Sequence, residues 1–89
     1  MKEVKLILLA TNQIILSQIE EVSSELGEPD CKLIKPFDVN KSITGDLFLQ
    51  PFLIDYTKQD IFMISSDKII TLSDPTPTLL EKYIDLIKE

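Results

Sequence analysis

The sequence predicts a mainly β domain: a small, strongly bent five-stranded antiparallel sheet or open barrel, followed by one C-terminal α-helix. Three observations carry this expectation. Short apolar or alternating runs recur from Lys5 to Leu72, and polar turn residues separate them. The only two glycines, Gly27 and Gly45, fall in those connections, and the segment after Pro75 repeats apolar residues at helical spacing.

The first strand is the apolar run KLILLA, Lys5 to Ala10, and Thr11, Asn12 and Gln13 supply the turn after it. IILSQIEEV, Ile14 to Val22, then alternates, with Ile15, Ser17 and Ile19 on one face and Leu16, Gln18 and Glu20 on the other, so the two runs form a hairpin. SSELGEPD, Ser23 to Asp30, is a solvated connection rich in serine, glycine, proline and acid. Cys31 to Ile34 reads as a short third strand that Lys35 and Pro36 close, because proline cannot donate to a ladder.

FDVNKSITGD follows as a second loop, in which Gly45 is available for a left-handed position. LFLQPFLIDY, Leu47 to Tyr56, alternates and reads as a fourth strand bent near Pro51. Thr57 to Asp60 turns the chain, IFMI opens a fifth strand, and SSDK either joins it to IITL as two strands or kinks one. Thr76 before Pro77 predicts an N-cap, and Leu80, Tyr83, Ile84 and Ile87 mark the apolar face of a helix over about residues 77–88. Glu81, Lys82, Asp85 and Lys88 fall outside that face.

Composition bounds the function. A chain of 89 residues holds one compact core, so residues 1–89 read as a single domain. Its fifteen acidic and nine basic residues give a formal charge of −6, and every basic residue is a lysine. Without arginine's planar fork, and with a surface that repels phosphate on average, duplex DNA is not an expected partner. Histidine is absent and Cys31 is the sole cysteine, which excludes an intramolecular disulfide and zinc sites of the usual type. VKLILLA is too short to span a bilayer and carries no small-residue cleavage signal, so the expectation is a soluble cytoplasmic protein with no membrane contact. No phosphate loop, nucleophile elbow or metal spacing occurs; no enzyme and no cofactor are expected.

Four pieces together resemble the Sm-like (LSm) proteins, especially the short versions encoded by bacterial viruses. They are the hairpin VKLILLATNQIILSQIEEV, the strand CKLIKP, the run LFLQPFLIDY and the closing DIFMISSDKIITLSDPTPTLLEKY. The resemblance implies an SH3-type open barrel, which the family assembles into closed rings of about five to seven identical subunits by pairing one subunit's fourth strand with the next subunit's fifth. Placed on this chain, the interface residues are Phe52, Ile54 and Tyr56 on one edge and Ile69, Ile70 and Leu72 on the other. It also implies single-stranded, uridine-rich RNA held by pore-facing loops, and a bacterial host's cytoplasm as the location.

In the second Sm signature, the RNA-contacting turn corresponds here to Ser65, Ser66, Asp67 and Lys68, where the family usually has arginine, glycine and an acidic or amide residue. Ser17 stands at the second-strand glycine position, and the Asp-x-x-x-Asn loop is not found between strands two and three; Phe37, Asp38 and Asn40 imitate it after strand three. Two readings of each candidate stay open. Lys68 and Asp67 contact a nucleotide or form a solvated hairpin turn; Phe52 and Tyr56 stack bases or pack in a core or interface. Cys31 reads as a small buried hydrophobe. The ring accordingly binds short RNA, or has lost the RNA site and acts as an oligomeric scaffold for protein contacts. A monomeric β-rich adaptor is the third reading.

Overall fold

A computed structural model describes residues 3–88. Six strands, β1 (Val4–Leu9), β2 (Ile14–Glu21), β3 (Cys31–Lys41), β4 (Leu47–Pro51), β5 (Ile61–Ile64) and β6 (Ile69–Ser73), precede helix α1 (Pro77–Ile87). They form one antiparallel sheet in the order β4-β3-β2-β1-β6, with β5 also paired to β3. The expected mainly β fold with a bent sheet and a C-terminal helix is therefore what the chain adopts, and the sheet is not closed.

The expected hairpin holds from Val4↔Gln18 to Leu8↔Ile14 and turns through Asn12, whose φ of 70° suits a residue tolerant of the left-handed region. Three boundaries differ from expectation. β3 does not stop at Pro36 but runs on through Phe37, Asp38 and Asn40 to Lys41, so KPFDVN is strand and not loop. Its passage past Pro36 is a β-bulge: Leu16↔Phe37 and Gln18↔Ile34 leave Ser17 facing both Lys35 and Pro36, and Lys35 takes a φ of 52°. A proline is admissible at such an irregularity because the ladder is already interrupted there.

The run LFLQPFLIDY is strand only to Pro51, and residues 52–56 turn away. SSDK separates two strands through a short 3₁₀ turn, Ser66–Lys68. The sheet thus has six strands where five were expected, because the run expected as the fifth divides at SSDK into β5 and β6; β4 and β5 use opposite halves of the long β3, β4 pairing with Phe37 to Lys41 and β5 with Cys31 to Ile34.

The bulge also exchanges the faces of β3, since a one-residue offset reverses the alternation. Leu33 lies on the inner face with Ile7 and Ile15, joined by Phe62 and Ile64 of β5 and Ile69 of β6. Strands from both ends of the sheet meet one cluster, so the sheet curls around it. Phe37 and Val39, past the bulge, lie on the outer face with Leu16, Leu6 and Leu49.

Helix α1 covers that outer face. The Thr76 side chain accepts from the Leu79 N–H at 3.3 Å, capping the first turn as expected. The buried helix residues are Leu79 and Tyr83, with Ile87 packed beside them; Leu79 was absent from the expected face, and Leu80 and Ile84 flank it half-buried. Full burial of an apolar side chain such as Leu79 contributes roughly 1.5–3 kcal/mol.

Candidate functional site

Two places could carry function: the turn that holds the four candidate RNA contacts, and the strand edges with the cleft beside them.

The turn lies against the β2–β3 connection. The Asp30 carboxylate accepts from the Ser66 backbone N–H and from the Ser66 hydroxyl, both at 2.7 Å. The Lys68 N–H donates to the Ser65 carbonyl at 3.1 Å, and the Lys68 carbonyl accepts from the Ala10 N–H at 2.7 Å, tying the turn to the β1–β2 hairpin. Ser65, Ser66, Asp67 and Lys68 are thus brought together, with Ser65 half-buried and the other three exposed. The hydroxyl and N–H of Ser66 hold the Asp30 carboxyl below the usual carboxylate range.

A shallow depression of about 200 Å³ at this junction is lined by Gly27, Glu28, Asp30, Ser65, Ser66 and Asp67. It is lined by three carboxylates and no lysine, so phosphate is repelled, and both Ser66 donors are already taken by Asp30. Phe37, Asp38 and Asn40 lie elsewhere, on the half of β3 paired with β4. Burial raises the Asp38 carboxyl above its ordinary value.

The edges present a different chemistry. β6 pairs only with β1 and β5 only with β3 among the described residues, so each exposes one unpaired side. Of the expected interface residues, Ile70 (59% exposed) and Leu72 (48%) lie on the β6 edge, while Ile69 turns into the inner core. Phe52, Ile54 and Tyr56 lie on no strand. Phe52 packs edge-on to Phe62 with ring centres 5.2 Å apart, and Ile54 and Tyr56 project from the turn after β4. At the opposite end of the sheet β4 and β5 lie along the two halves of β3, with Leu47 and Phe48 exposed on β4 and Ile61 and Met63 on β5. Alternation in IFMI was the signal for Ile61 and Met63; the longer run from Leu47 drew the expectation away.

Beside β6 the inner face stays open as a cleft of about 610 Å³. Ile19, Cys31, Ile69, Ile70 and Leu72 make its apolar lining, and Glu3, Lys5 and Glu21 its polar rim. The Lys5 ammonium is held by Asp74 at 2.7 Å and Glu3 at 3.0 Å, and these hydrogen bonds raise its pKa, Asp74 first. Cys31 is buried as expected, and its burial pushes the thiol pKa up, which disfavours the nucleophilic thiolate. No cluster of three or more metal-ligating side chains occurs among the described residues, and none of their helices is long and apolar enough to cross a membrane.

Residues 2–88 match the profile of a family described as a family of unknown function, DUF6561. No curated protein matches the chain.

Proposed function

The chain belongs to DUF6561, a family of unknown function, and we propose that it is an Sm-like subunit whose copies join edge to edge into a closed ring that serves as an oligomeric scaffold. The observation that carries this reading is the pair of open edges. β5 and β6 each leave backbone donors and acceptors without a ladder partner, and each bears exposed apolar side chains, Ile61 and Met63 on one, Ile70 and Leu72 on the other. Such edges are hazards unless covered, and two different edges that complement each other give a head-to-tail contact, which closes into a ring where the rotation from one subunit to the next divides the full turn. Taken as one interrupted strand, β4 and β5 reduce the sheet to a five-stranded open-barrel order, which supports the Sm-like reading.

The test is mass in solution for the wild type and for Ile70→Lys with Leu72→Lys, which places two charges on the β6 edge. The ring reading expects a defined oligomer that the double variant reduces to monomer. A wild type that stays monomeric at every concentration refutes it.

RNA binding is the second reading, favoured by the meeting of the β2–β3 connection with the Ser65–Lys68 turn through Asp30 and Ser66. A ring would repeat Lys68 around a pore and multiply a weak contact. Against it stand the three carboxylates of the junction, and so the scaffold is the function we assign to the ring. Titration with labelled oligo-U at low and moderate salt separates the two, since phosphate contacts weaken as salt rises. Salt-sensitive binding that Lys68→Ala abolishes selects the RNA reading.

A further inference from the structure

The open cleft beside β6 points to a second contact between copies, one that rests on the edge-to-edge reading above. Leu72 pairs with Ile7, and directly opposed residues of neighbouring strands point to the same face. Ile7 is fully buried while Leu72 is 48% exposed, so the inner core stops short at β6 and the 610 Å³ cleft is where it stops. Backbone pairing alone does not fill a hollow lined by side chains.

The other edge carries a body of suitable character. Residues 52–56 turn just before β5, and the first of them, Phe52, packs onto the inner core cluster. The Phe52 N–H donates to the Pro36 carbonyl at 3.0 Å, its ring packs on Phe62, and Leu53 is held at a φ of 57°, a conformation that costs a leucine roughly 1–2 kcal/mol. Yet Ile54 is 48% and Tyr56 84% exposed. Bulky apolar side chains held by a strained backbone in solvent suit a contact surface.

Chain direction brings turn and cleft together. When β5 of one copy lies antiparallel to β6 of the next, its start at Ile61 runs beside the end of β6 at Ser73, and the inner faces of the two sheets become continuous. The turn that precedes Ile61 then overhangs the neighbour's cleft. Residues 52–60 carry Lys58 together with Asp55 and Asp60, and Glu3, Glu21 and Asp74 surround Lys5 at the cleft, so the match of sign is local and rests on Lys58 facing Asp74.

We propose that residues 52–60 of one copy cover the cleft of the next, with Ile54 and Tyr56 against Ile70 and Leu72 and with Lys58 toward Asp74. The full chain tests this by sedimentation over a concentration series. Tyr56→Ala and Lys58→Glu, both at exposed positions, should each raise the concentration for half-assembly about tenfold, while Ile43→Ala, a still more exposed apolar residue on the β3–β4 hairpin, should leave it unchanged. Adding Asp74→Lys to Lys58→Glu should restore much of the loss. A wild type that assembles while Tyr56→Ala and Lys58→Glu assemble equally tightly overturns the cleft contact and leaves edge pairing standing. Failure of the charge swap to restore assembly overturns the placement of Lys58. A wild type that never assembles overturns both.

Discussion

The Tyr83 hydroxyl lies 2.9 Å from the Lys35 carbonyl and 3.1 Å from that of Ile34, and it accepts from the Gln18 N–H at 3.3 Å. A helix residue thereby supplies the polar partners that the β-bulge removes from the β2–β3 ladder. The Ser17 hydroxyl does the same from the other strand, donating within 3.2 Å of the Ile34 carbonyl. Tyr83 is fully buried, and its ring meets Phe37 edge-on at 5.7 Å, so packing and hydrogen bonding act at one point. That joint sets the bend in β3, and the bend lets β4 and β5 use opposite halves of it.

Tyr83→Phe keeps the ring and removes the hydroxyl donor that the Lys35 carbonyl faces at the bulge. An expected loss of about 1–3 kcal/mol follows, read as a lower urea midpoint at unchanged slope. Tyr83→Ala adds a cavity and should cost about 3–5 kcal/mol. Equal stability of Tyr83→Phe and the wild type would show that the hydroxyl carries no weight in the joint.

Thr76→Ala removes the cap on α1 and should cost about 0.5–2 kcal/mol, with Thr76→Ser close to wild type. Thermal unfolding measures both. An unchanged alanine variant would place the stability of α1 wholly in its packed face.

Asp30 and Asp38 tilt the pH dependence in opposite senses. Donation by Ser66 depresses the folded-state pKa of Asp30 below the ordinary 3.8, so its contribution is present above 3.8 and is lost as pH falls through the folded value. Burial raises Asp38, so its contribution is present below 3.8 and is lost as pH rises through the folded value. In urea titrations at stepped pH, Asp30→Asn should flatten the acid limb, and Asp38→Asn should raise the midpoint at neutral pH. An unaltered acid limb for Asp30→Asn would dissociate the Ser66 contact from stability.

Local elements were legible in the sequence because their causes are local. Turn residues at Thr11 to Gln13 mark the first hairpin, and Thr76 with Pro77 marks the start of α1. The length of β3 was not legible, since Pro36 is a strand breaker unless a bulge receives it, and that bulge depends on a tyrosine far along the chain. The same holds for the turn site. Its four residues lie together because they are consecutive, but the carboxylate that occupies Ser66 comes from Asp30, and no spacing rule announces it. Of the expected interface residues Ile70 and Leu72 lie on β6, whereas Phe52, Ile54 and Tyr56 lie on no strand, because LFLQPFLIDY alternates past the point where the backbone leaves the sheet.

Cys31 offers a check on the inner core. Buried at 5% exposure and with its thiol pKa raised, it should react with a thiol reagent far more slowly in native protein than in urea. Native labelling as fast as that of unfolded chain would mean that the cleft opens to its floor.

Light scattering of purified protein against concentration tests self-assembly most directly. The ring reading predicts one species whose mass is a fixed whole multiple of 10.1 kDa, collapsing to a single 10.1 kDa chain when Ile70 and Leu72 are both changed to lysine. A wild type of 10.1 kDa at all concentrations, with both edges left open, would contradict it.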